Sequence, residues 1–134
     1  MYPTVDSDVL IAHDALLARV TAIFRRCGMN DRHAALLADT LVTADARGVM
    51  RVPDYVGKLT LGGVNPRGRP KVVRQKGAGM VVDGDNAMGQ IACEFAIREA
   101  LARAADLGVC VARFAAAITA VRCSISRCRR CPRR

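Results

Sequence analysis

Three cysteines carry the most suggestive chemical spacing in the chain, Cys123-x4-Cys128-x2-Cys131. Thiolates at those intervals match three ligands of a plant-type iron–sulfur centre. A fourth ligand has to come from upstream, and arginine stands in both gaps, so the context argues against a cluster. Asp83, Asp85 and Glu94 occupy positions 1, 3 and 12 of a calcium loop. However, Ala87 stands where an oxygen ligand is needed and Met88 where the sharp turn needs glycine. Gly77-Ala78-Gly79 has two glycines of a dinucleotide fingerprint, with Val82 at the third position and no following helix. Gly84 to Gly89 has P-loop spacing, but Gln90-Ile91 replaces the Lys-Ser/Thr pair that holds phosphate and magnesium. His13 and His33 lack a neighbouring Cys or carboxylate cluster and read as helix-surface residues. None of these patterns establishes a metal or phosphate site; plain turns account for the glycines and acids.

The elements that would position such residues can be read from periodicity. Asp6 or Ser7 is placed to cap a helix running to about Cys27, with Leu10, Leu17, Val20 and Phe24 near one face. Gly28 suits the stop. Asn30 then caps a second helix whose apolar stripe is Ala34, Leu37, Ala38, Leu41 and Val42, making a helical hairpin. Gly48 breaks the pattern, and Pro53 suits the first turn of a short third helix through Tyr55 and Leu59. A loop rich in Gly and Pro spans 62–70. Lys71–Arg74 and Met80–Asp83 read as a hairpin, Ile91 to about Ala105 as a helix ended by Gly108, and Val109–Ala112 as the start of a buried strand. The predicted class is α/β, an α+β fragment of N-terminal helices, hairpin, helix and the start of a strand.

Composition sets outer limits. A chain of 134 residues accommodates one domain with a modest core. No apolar run approaches the roughly 18 residues of a membrane span, and no basic start precedes an apolar stretch, so a soluble cytoplasmic protein is expected. The net charge of +9 is uneven: seven Arg and no acid lie in Arg113–Arg134, and those seven account for most of the excess. The chain therefore divides into a body, 1–112, and an Arg/Cys-rich tail, 113–134. An arginine tail can neutralise nucleic-acid phosphates without reading sequence. A small basic nucleic-acid-binding protein is thus the alternative function, disfavoured by a near-neutral body and a tail with no aromatic after Phe114.

The run Cys27-Gly28-Met29 through Leu41-Val42-Thr43-Ala44-Asp45-Ala46-Arg47-Gly48 resembles the opening of the malate/L-lactate dehydrogenase family, which includes ureidoglycolate, diketogulonate and piperideine-carboxylate enzymes. Val49-Met50-Arg51-Val52-Pro53-Asp54-Tyr55-Val56, Gly62-Gly63-Val64-Asn65-Pro66 and Val82-Asp83-Gly84-Asp85-Asn86-Ala87-Met88-Gly89-Gln90 resemble further family motifs in the same order. The resemblance runs from about Phe24 to Ala112, the front part of a much longer enzyme. It implies a non-Rossmann fold and hydride transfer between NAD or NADP and a small 2-oxo or 2-hydroxy acid (or a cyclic imine), usually in a homodimer. It also implies that most cofactor contacts come from regions not represented here, so this chain is not expected to bind the cofactor.

Two departures set the chain apart from the family. Family members continue Arg-Gly with x-x-Ser-His-Gly, whereas Arg47-Gly48 here runs directly into Val49-Met50-Arg51. The histidine expected to exchange a proton with the substrate oxygen is absent, and hydride addition to a carbonyl builds negative charge that needs such an acid. Arg51 corresponds to the arginine expected at the substrate carboxylate, where its planar fork suits recognition. A surface charge at a helix start is the competing reading of Arg51, and sequence does not separate the two. Second, Arg113-Phe114-Ala115-Ala116-Ala117-Ile118-Thr119 replaces the family's Val-Arg-x-Ser-Asn-His motif. Codons offset by two bases can encode that motif in place, so the tail is expected to be a frameshift product, out of frame and disordered. The expectation is an oxidoreductase-family chain, truncated and inactive alone.

Overall fold

The computed structural model describes residues 10–115, which form four helices and a three-stranded mixed sheet. Helix α1 (His13–Arg26) and helix α2 (Asp31–Asp45) pack as a hairpin. Their contact is built by apolar residues one turn apart: Val20 and Phe24 meet Ala34, Leu37, Ala38, Leu41 and Val42. Asn30 caps α2 as expected, its Oδ1 accepting from the His33 N–H at 2.9 Å. Gly28 takes the left-handed φ of 91° at the hairpin turn.

The start of α1 corrects the sequence reading. Asp6 and Ser7 lie outside the described residues, but Leu10 and Ile11 are not helical and the helix begins only after Ala12, which has no side-chain cap. Leu10 is fully exposed rather than part of the apolar face. A helix this short is held by tertiary packing, and the first α1 residues packed against the core are Leu16 and Leu17.

Helix α3 (Val52–Thr60) opens with Pro53 in its first turn and buries Tyr55 and Leu59 against the hairpin. The following loop folds back onto the turn that leads into helix α4 (Gly89–Leu107). Asn65 N–H donates to the Asn86 carbonyl at 2.9 Å, and Asp85 Oδ2 accepts from the Arg69 N–H at 2.9 Å. Gly68 lies so close to Ala87 that an added Cβ would stand 2.7 Å from the Ala87 Cβ.

Strands β1 (Lys71–Lys76) and β2 (Gly79–Asp83) pair antiparallel, with an irregularity between Val72 and Arg74. Both run nearer to the turn than the expected Lys71–Arg74 and Met80–Asp83, leaving Gly77-Ala78 as a two-residue connection with Gly77 at a φ of 51°. Helix α4 ends on Gly108 at a φ of 76° and leads to β3 (Val111–Ala115), which pairs parallel to β2. The sheet order is β1-β2-β3, and β2-α4-β3 is a crossover unit.

The core has two parts. The larger joins the three N-terminal helices to Val64, Ala87, Met88 and Ile91; the smaller packs Met80 and Val82 on Ala96, with Phe95 and Phe114 at its edge. Strand β3 differs from the buried strand expected at Val109–Ala112. It starts at Val111 and is covered on one face only: Ala112 and Phe114 pack toward α4, whereas Val111 is 64% exposed. Among the described residues no element lies on its other face. Arg113–Ala115, the first residues of the segment 113–134 expected to be out of frame and disordered, are instead ordered in β3, paired with Val81–Asp83; the rest of that segment, including Cys123, Cys128 and Cys131, lies outside the described residues.

Candidate functional site at the junction of α2 and α3

Arg51 stands at the N-cap of α3 with a φ of −135°, its carbonyl accepting the Tyr55 N–H at 3.2 Å. The backbone thereby opens the helix while the side chain is exposed. Two residues further along the same helix make side-chain contacts. Tyr55 is buried, and its hydroxyl accepts from Gln90 Nε2 at 2.7 Å. Lys58 Nζ lies 5.3 Å from the Tyr55 ring centroid. Arg51 is thus carried on a helix fastened to α4 through Tyr55 and Gln90.

Immediately upstream, the connection from α2 is tight. Gly48 N–H donates to the Asp45 carbonyl at 2.8 Å and Val49 N–H to the Ala44 carbonyl at 3.0 Å, with Gly48 at a φ of 78°. This left-handed helix stop satisfies the last α2 carbonyls and passes straight to Val49 and Met50, both about half-exposed. The resemblance to the family puts its Ser-His-Gly segment at this point. Here the loop closes on itself and presents two apolar side chains, Val49 and Met50, neither of which can give or take a proton at neutral pH.

Neither described histidine replaces it by contact. His33 lies in the first turn of α2, and the 12 residues from it to Asp45, at about 1.5 Å each, put it roughly 18 Å from the end of the helix that leads to the junction. Burial and then the Arg32 charge hold the His33 pKa below the usual 6.5, with Glu94 opposing them. Asn30 Nδ2 lies 3.1 Å from His33 Nδ1, which is an acceptor only when unprotonated. His13, at the start of α1, hydrogen-bonds its exposed neighbour Asp14 at 3.2 Å.

The connection from β2 to α4 does not fit a dinucleotide pyrophosphate. Such a group needs free N–H donors and a close backbone at a helix N-terminus. Here Met88 and Gly89 are buried, Ala87 packs against the position of Gly68, and the turn carries the carboxylates of Asp83 and Asp85. Asp83 Oδ1 already accepts from Asp85 N–H at 3.0 Å. Glu94, the twelfth position of the rejected calcium loop, pairs instead with Arg32 at 2.9 Å. Among the described residues no three His, Cys, Asp or Glu side chains are grouped for a metal, and no helix is long and apolar enough to cross a membrane.

The Tyr55–Gln90 contact is the feature that sequence reasoning missed. Both residues lie in motifs quoted above, but only the fold brings them together. The signal available was Gln90 itself, an amide following a buried glycine at a helix start.

The sequence profile described as malate/L-lactate dehydrogenase matches residues 11–123. The chain is 33% identical over 92 residues to an L-sulfolactate dehydrogenase of Methanocaldococcus jannaschii, covering 65% of this chain and 27% of that protein. It is 32% identical over 91 residues to a ureidoglycolate dehydrogenase (NAD(+)) of Escherichia coli O157:H7, covering 64% and 26%. The fold superimposes on a malate dehydrogenase structure from Pyrococcus horikoshii with a TM-score of 0.77 and 27% identity, covering 87% of this chain and 35% of that one. The chain therefore spans about a third or less of the length of these relatives.

Proposed function

The chain belongs to the malate/L-lactate dehydrogenase family, and on that footing we propose that it represents the N-terminal part of an NAD- or NADP-dependent 2-hydroxy-acid dehydrogenase, inactive as this chain alone. The observation that carries the reading is the α2–α3 junction, where Gly48 and Val49 close a tight turn in place of the segment that bears the family's histidine. In this proposal Arg51 retains its part in holding a substrate carboxylate, and a small 2-oxo or 2-hydroxy acid is the substrate class. The names of relatives that act on sulfolactate, ureidoglycolate and malate support that class. The nicotinamide cofactor supplies the hydride when bound; the residues present at the β2–α4 turn do not fit its pyrophosphate. Homodimer formation belongs to the same reading.

We further propose that Arg113–Arg134 is the product of a shifted reading frame, a reading supported by the codon permissions at Ala117–Arg122. Resequencing the coding DNA across Ala46–Val52 and from Val109 past the stop tests both departures. An offset frame continuing into dehydrogenase-like sequence is expected. A confirmed frame with nothing family-like downstream would overturn the frameshift and make the tail a genuine basic segment. Titrating NADH with protein tests the inactive-fragment reading separately, and micromolar binding would contradict it.

A further inference from the structure

His33 is joined to Asn30 twice. Its backbone N–H donates to Asn30 Oδ1 at 2.9 Å, the cap of α2, and its ring Nδ1 lies 3.1 Å from Asn30 Nδ2. A backbone N–H can only donate, so the amide oxygen is the atom that faces it. The amide NH2 is thereby turned toward the ring, and it too can only donate. Nδ1 must then carry a lone pair, and the ring proton of neutral His33 sits on Nε2. One amide fixes a helix start and a tautomer together.

A second proton meets opposition in this arrangement. Protonated Nδ1 is a donor facing a donor. If the amide turns over, Oδ1 accepts from Nδ1–H, but the NH2 then faces the His33 backbone N–H and the cap is lost. Arg32 precedes His33 in the first turn of α2, where the helix dipole disfavours cations. Asp31 in that turn is paired with Arg25 of α1 at 2.8 Å, and Glu94 of α4 with Arg32 at 2.9 Å. Burial and then Arg32 lower the His33 pKa, and Glu94 opposes them. All of these groups lie between Arg25 and Glu94, within the described residues.

We infer that His33 is held as the Nε2–H tautomer and works as a proton-operated latch: a proton taken up at Nδ1 from solvent draws the Asn30 side chain off the helix end and frees the first turn of α2. The junction of α1 and α2 then opens first in acid. The Arg32–Glu94 tie between α2 and α4 loosens with it, because Arg32 lies in the freed turn. This local opening is distinct from a pH-dependent stability of the whole chain, and it is independent of dehydrogenase activity.

NMR of the full chain tests the latch. Imidazole nitrogen shifts at about pH 8, above the ordinary histidine range, are expected to show the proton on Nε2. On acidification, hydrogen-exchange protection of the His33 backbone N–H, corrected for its intrinsic rate, is expected to fall roughly fivefold, the size of a lost N-cap. That fall should share its midpoint with the imidazole. In Asn30→Asp one carboxylate oxygen can cap while the other accepts from Nδ1–H, so protection is expected to persist and the imidazole midpoint to rise. An Nδ1–H tautomer in the parent chain overturns the inference. So does constant protection while the parent His33 titrates, because the ring has then turned away and left the cap in place. An equal loss of protection in Asn30→Asp overturns it as well.

Discussion

Gln90 Nε2 donates to the Tyr55 hydroxyl across 2.7 Å, linking the first turn of α4 to the middle of α3. The two residues are 35 positions apart and partly buried, and the bond reinforces a core cluster that already holds Tyr55 and Leu59 of α3 together with Ile91 of α4. It is the one side-chain hydrogen bond described between α3 and α4.

Tyr55→Phe is expected to cost about 1 kcal/mol, the net value of a hydrogen bond whose remaining partner is only partly able to reach water. Urea unfolding of Tyr55→Phe, Gln90→Ala and the double variant checks it. Additive effects would mean that the two side chains do not interact.

Gly68→Ala is expected to destabilise by roughly 1–3 kcal/mol, the usual range for overpacking. Its Cβ would stand 2.7 Å from the Ala87 Cβ and 2.8 Å from the Asp85 carbonyl oxygen, and backbone cannot simply rotate away. Gly57 gives the contrasting case, being interior to α3 with nothing within 4 Å of an added Cβ. Gly57→Ala is expected to stabilise by about 0.5–1 kcal/mol through helix propensity. Thermal melts of the two variants should therefore shift in opposite directions.

Leu37→Ala removes one of the largest fully buried side chains and is expected to cost about 2–5 kcal/mol. Asp39→Ala, on the exposed side of the same helix, is expected to stay within about 0.5 kcal/mol of the parent. Denaturation midpoints compared at equal m-values separate the two effects.

Stability is expected to fall as the pH drops below the ordinary histidine value of 6.5 and to level off once His33 is protonated in the folded state too. The folded pKa is depressed, so between that value and 6.5 the unfolded chain binds more protons, and acid favours unfolding there. Above 6.5 both states hold neutral imidazole and the contribution is fully present. Replacing His33 by Asn should flatten the slope in this window. An unchanged pH profile would show that His33 is not its source.

Local patterns foretold much of the fold. The α2 stripe from Ala34 to Val42, the Asn30 cap, Pro53 at the start of α3 and Gly108 at the end of α4 all stand where periodicity and capping chemistry put them. Each depends on contacts within a few residues, which a linear reading captures. The start of α1 was misread because Asp6 and Ser7 have suitable cap chemistry, whereas Leu10 and Ile11 stand exposed outside the helix. Ordered motifs likewise identified the family, since it is a matter of residue type and spacing.

What waited for the tertiary structure was every relation between distant positions. The run Arg47-Gly48-Val49 is visible in the sequence, but that it closes as a hydrogen-bonded turn is a matter of backbone geometry. Gly68 looked like one more loop glycine until Ala87 came within reach of its missing Cβ. Arg74 and Arg113 are unremarkable cations 39 positions apart in the chain. Strand register alone sets them on either side of Val81, because side chains alternate along a strand and a one-residue slip would send them to opposite faces.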